Sequence, residues 1–162
     1  MTPTVYIETS IISYLAAQPS RDLITAAHQQ ITHDWWRRRR SVFDLFVSQL
    51  VVDEAAAGDP DAAGRRSALI AELPLLDITP TVTAFAAFLA EAVTLPVRAG
   101  ADALHIAIAT VHGIDYLLTW NCTHIANAEL RILVERACRK QGYMAPTMCT
   151  PEELMEEMSH DD

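Results

Sequence analysis

Three carboxylates and one amide stand where their neighbours give them chemical meaning: Glu8, Glu54, Asp102 and Asn121. Asp102 lies in Gly100-Ala101-Asp102-Ala103-Leu104-His105-Ile106-Ala107, an otherwise small and apolar run. A carboxylate in the first turn of a helix favours the helix dipole, but its burial against a core requires a partner. Glu8 directly follows Thr4-Val5-Tyr6-Ile7, and Glu54 sits among Val51, Val52 and Ala55. Asn121 follows Leu118-Thr119-Trp120. Oxygen donors of this kind, brought together, suit a hard divalent cation such as Mg²⁺ or Mn²⁺. Without a cation, three carboxylates in one pocket repel, and some must stay protonated. With one, the set can activate a water and stabilise the in-line displacement of a phosphodiester.

Whether they meet depends on the elements that carry them. Thr4–Ile7 is β-branched and aromatic and reads as the first strand. Thr9 and Ser10 read as N-cap residues of a short helix over Ile11–Ala16, which Pro19 ends. Ser20 starts a long helix to about Arg40, with Asp22 in its first turn. Leu23, Ile24, Ala27, Ile31 and Trp35 form its apolar face. Phe43–Ser48 reads as the second strand and Gln49–Ala57 as a helix ended by Gly58. Asp59-Pro60 caps the next helix. Leu73–Ile78 contains a short strand, and Thr79-Pro80 opens the helix over Val82–Val93. The helix from Ala101 to His112 stops at Gly113, which can take the left-handed conformation. Tyr116–Trp120 reads as an interior strand. A helix is expected over Thr123–Lys140, an edge strand over Pro146–Cys149, and a final helix from Thr150, where Thr150 and Glu153 have capping-box spacing. This alternation predicts a parallel sheet with helices on both faces. In such sheets the functional crevice lies beyond the carboxyl ends of the strands. Glu8, Glu54, Asp102 and Asn121 can all reach that crevice.

The same residues carry a resemblance. Ile7-Glu8-Thr9-Ser10, the glutamate of Asp53-Glu54-Ala55, Ala101-Asp102-Ala103-Leu104-His105-Ile106-Ala107 and Leu118-Thr119-Trp120-Asn121 resemble the successive motifs of PIN-domain ribonucleases. Within that family they are most similar to VapC-like toxins of bacterial type II toxin–antitoxin systems. The resemblance spans nearly the whole chain, and the Asp102 motif is its most specific part. It implies an α/β/α sandwich with a five-stranded parallel sheet and Mg²⁺- or Mn²⁺-dependent cleavage of RNA. It also implies a homodimer and inhibition by a cognate antitoxin. Carried over by position, Glu8, Glu54 and Asp102 are metal-site carboxylates, Asn121 takes the fourth catalytic place, and Thr9 and Thr119 support them. The family usually has aspartate where Glu8 stands, and glutamate reaches one methylene further. It usually has aspartate or another polar residue in the fourth place. Asn121 offers a neutral carbonyl oxygen, which leaves three formal charges and favours a single Mg²⁺ held mainly through waters. The other reading of these departures is a PIN-like binding module with weak or no nuclease activity.

The chain has 162 residues, enough for one domain with a real core; residues 1–158 read as that domain and 159–162 as a frayed tail. The net charge of −9 argues against a broad basic nucleic-acid surface and leaves room for a local one. Arg37 and Arg38, in the run to Arg40, and Arg98 are the candidate RNA contacts, with Arg65 and Arg66 weaker. Equally, the arginine run can be a solvated helix end. Three scattered cysteines support neither a disulfide framework nor a zinc cluster, so a reducing cytosol is the simplest compartment. No stretch has the length of a membrane span.

Each candidate has a plainer reading. Glu54 can be a solvated helix residue, and Glu8 can cap the helix that follows it. His105 reads as a packed or hydrogen-bonded core histidine rather than a general base. His112 and His124 read as structural or surface residues, and Cys122 as a small packing residue. Trp35 and Trp36 read as anchors of a helix or a subunit interface. The apolar faces around the long second helix exceed the needs of one thin sandwich, as a dimer or antitoxin-binding groove would require.

Overall fold

The computed structural model describes residues 1–156. Its strands are β1 (Thr4–Ile7), β2 (Asp44–Ser48), β3 (Leu75–Leu76), β4 (Tyr116–Leu118) and β5 (Thr147–Cys149). Its helices are α1 (Thr9–Ala16), α2 (Leu23–Arg38), α3 (Gln49–Ala55), α4 (Pro60–Ile70), α5 (Pro80–Ala92), α6 (Gly100–Val111) and α7 (Ala128–Lys140). The strands form one five-stranded sheet in the order β3-β2-β1-β4-β5, and every pairing is parallel. This is the α/β architecture expected, consistent with a PIN-like α/β/α sandwich.

Handedness explains the layers. From β1 the chain steps outward to β2 and then β3; it then crosses to β4 and β5 on the other side of β1. Parallel crossovers are right-handed, so reversing the direction of travel moves the connecting helices to the opposite face. The packing agrees: α1 lies against α2, α3 and α4, whereas α5 lies against α6 and α7. The point of reversal falls between β1 and β4, the position where ligands bind in open sheets of this kind. Both flanking strands are fully buried at Val5, Tyr6, Ile7, Leu117 and Leu118. They have no solvent face, as their unbroken apolar character requires.

Several element boundaries move for local reasons. Glu8, rather than Thr9 or Ser10, is the N-cap of α1, accepting a hydrogen bond from the Ser10 amide. Asp22 caps α2 instead of entering its first turn, and Ser20 lies outside the helix. The α7 helix starts five residues later than expected, because Asn121 and Asn127 bind backbone amides with their own side chains and hold residues 122–126 in turns. Glu153 accepts from the Thr150 amide and Thr150 Oγ1 from the Glu153 amide, completing the capping box, yet residues 151–156 stay in turns and a bend rather than a helix. The expected tail at 159–162 lies outside the described residues.

The apolar face assigned to α2 is corrected most. Leu23 and Ile24 are 85% and 69% exposed, while Gln29, Thr32 and Trp35 are the residues turned inward. The inward stripe is polar because its groups find partners. Gln29 receives the Ser20 amide and donates to the Gln18 carbonyl. Thr32 donates to the His28 carbonyl and receives the Trp120 indole N–H. Among the described residues, no helix is long and apolar enough to cross a membrane.

Candidate active site

The first turn beyond β1 builds one wall. Glu8 is 5% exposed, and its two oxygens receive the Ser10 amide and the Thr119 hydroxyl, the latter at 3.1 Å. Ser10 reaches in turn to the amide of Trp120, at 2.8 Å. The ends of β1 and β4 are thus sewn together by side chains just past the backbone ladder. Burial pushes the Glu8 carboxyl above the usual glutamate range; the pull of His105 and the bonds from Ser10 and Thr119 oppose this without cancelling it.

From β4 the same network continues. Thr119 Oγ1 receives the Asn121 amide at 2.9 Å, and Asn121 Nδ2 donates to Asp102 Oδ1 at 3.0 Å. Asp102 Oδ2 pairs with His124 Nδ1 at 3.1 Å. Asp102 reaches this position because α6 runs back alongside β4, so its first turn lies beyond the strand's carboxyl end. Glu8 and Asp102 therefore share one side of the molecule, joined through Thr119 and Asn121.

Glu54 enters from the last turn of α3. Its Oε1 receives the Thr9 hydroxyl at 2.7 Å and pairs with His105 Nε2 at 2.6 Å. Burial raises this carboxyl, but the hydrogen bond and charge of His105, with the Thr9 bond, outweigh burial and hold it below the usual range. His105 is one turn along α6 from Asp102 and is 2% exposed. It is the hydrogen-bonded core histidine expected.

Thr9 and Thr119 take the supporting positions read from sequence. Asn121 does not offer its carbonyl oxygen as expected. That oxygen receives the amides of Thr123 and His124, at 3.2 and 3.0 Å, and the amide nitrogen is what faces Asp102. Asn121 therefore holds Asp102 rather than extending the oxygen set. The arginine run sits elsewhere. It ends α2 and leads through the turn at Arg40–Val42 into the amino end of β2, opposite the crevice; Arg37 pairs with Asp34 at 2.7 Å. Arg98 is exposed in the turn Val97–Ala99 that leads into α6. The contributions of Tyr6, Ser10, Ser48 and His124 were missed. Ser10 stands in the Ile7-Glu8-Thr9-Ser10 motif, and Tyr6 carries a signal of its own, as a phenol in a buried strand whose hydroxyl must find a partner.

The donor set tests the metal expectation. Among the described residues, no three His, Cys, Asp or Glu side chains gather tightly enough to hold a metal ion between them. The described residues therefore form no closed cage of the kind structural zinc needs. A hydrated Mg²⁺ asks for less, one or two carboxylates with the remaining positions filled by water. Glu8, Glu54 and Asp102 are the hard oxygen donors at this end of the sheet, linked through hydrogen bonds of Thr9, Thr119 and Asn121. No protein-family model matches the chain, and no curated protein matches it.

Proposed function

We propose that the protein is a metal-dependent endoribonuclease of the PIN type, acting as a VapC-like toxin. The observation that supports this most is the hydrogen-bonded chain Glu8–Thr119–Asn121–Asp102, with Glu54 tied to the adjacent Thr9. It gathers residues separated by most of the sequence at the β1/β4 switch point. Mg²⁺ or Mn²⁺ bound there supplies a lowered pKa for water and a counter-charge for the phosphodiester. One or two of Glu8, Glu54 and Asp102 would bind a hydrated cation directly, and the rest through its waters. Asn121 and His124 keep Asp102 facing the crevice, and Thr9 and Thr119 do the same for Glu54 and Glu8. Arg98, exposed before α6, is the cationic group nearest in sequence to Asp102 and contacts an RNA phosphate. RNA is the substrate, and the family resemblance adds a homodimer and a cognate antitoxin. The exposed Leu23 and Ile24 of α2 are apolar surface for either partner.

The alternative is a PIN-like binding module. It is favoured by the hydrogen bonds that each of the three carboxylates already receives from its own chain, and by the lack of a three-ligand cluster among the described residues. Calorimetric titration with Mn²⁺ and an RNA-cleavage assay, on the wild type and on Asp102→Asn, separate the two. The nuclease reading expects binding and cleavage in the wild type and loss of both in the variant. Binding without cleavage favours the module. Equal cleavage by both proteins sinks the metal site.

A further inference from the structure

We propose that His105 is a positioning residue that aims the Glu54 carboxylate at the cation, and that Tyr6 fixes the ring of His105 for that task. The inference rests on the metal-site reading above. His105 touches three elements at once. Its Nε2 lies 2.6 Å from Glu54 Oε1 on α3, and its Nδ1 lies 2.7 Å from the Tyr6 hydroxyl on β1, while its backbone belongs to α6. Tyr6 is itself held by Ser48 Oγ at 2.8 Å, and Ser48 caps α3, the helix that carries Glu54.

The chain is continuous and buried. Ser48 Oγ accepts the Val51 amide and shares a hydrogen bond with the Tyr6 hydroxyl, which shares another with His105 Nδ1. An ionised Glu54 can only accept, so the ring donates the bond at Nε2. Turning the ring breaks both of its buried bonds. Packing alone does not ask for this: a leucine fills such space in an apolar helix without any polar partner. A histidine with both nitrogens engaged is the arrangement that orients a ligating carboxylate from behind.

The experiment uses wild type, Tyr6→Phe, His105→Gln and His105→Leu, each checked for its fold by circular dichroism. Calorimetry with Mn²⁺ gives the affinity. ¹⁵N spectra of the metal-free protein give the state of the His105 ring. Tyr6→Phe is expected to weaken Mn²⁺ binding about 10- to 100-fold, the usual cost of losing an outer partner of a ligand. It is also expected to shift the His105 nitrogens away from the wild-type pattern. His105→Gln, which keeps an N–H donor, should lose less affinity than His105→Leu. A purely structural histidine predicts the reverse order, or no difference. Unchanged Mn²⁺ affinity in Tyr6→Phe and His105→Leu overturns the positioning role and leaves the metal site standing. No Mn²⁺ binding by the wild type overturns the metal site, and this role with it.

Discussion

Glu8 is the residue under most tension. Its carboxyl is enclosed, yet the proposed chemistry needs it charged. Its acidity is weakened on folding, so its contribution to stability is fully present below the usual glutamate range and is lost as pH rises through the raised folded-state value. Thermal melts across pH 4–8 should therefore show the metal-free wild type losing stability with rising pH in that window. Glu8→Gln should lack this loss and melt higher at neutral pH, while losing Mn²⁺ affinity. Such a gain in stability at the expense of the site is a known trade-off. Glu54 has the opposite sign: its support is present above the usual range and fades as pH falls through its lowered value. The Asp102 motif was legible because a lone charge in an apolar helix demands a partner. That the partners would be Asn121 and His124 was not, because both sit in a turn whose shape depends on side-chain bonds to the backbone.

At the level of elements, the strands and most helices could be read from the sequence because their cause is local. Unbroken apolar runs make the buried strands, and Pro60 and Pro80 stand at the first position of α4 and α5. Two of the failures share an origin. Asparagine, threonine and glutamine gained partners that hydropathy does not register, which delayed α7 and turned the polar stripe of α2 inward. The delayed start gives a test. Asn127 receives both the Glu129 and Leu130 amides, so Asn127→Ala should cost about 0.5–2 kcal/mol in urea unfolding. The Mn²⁺ affinity should fall far less than in Asp102→Asn, since Asn127 touches none of the three carboxylates and acts only through the turn that carries His124.

For the whole molecule, the acidic balance and the acidic crevice act together. A cation that binds only the folded state stabilises it by mass action, about 2.7 kcal/mol at a hundred times its dissociation constant. Calorimetric melts with added Mg²⁺ or Mn²⁺ should move upward for the wild type and stay flat for Asp102→Asn. Equal shifts in both proteins would assign the effect to general screening of the −9 net charge instead.

The switch point also imposes an order in time. Glu8 and Glu54 are synthesised before β3, whereas Asp102, His105, Asn121 and His124 follow it. The crevice has no second wall until the chain beyond β4 has left the ribosome and packed against β1. A product that stops before β4 therefore lacks Asn121 and His124, the two partners that hold Asp102.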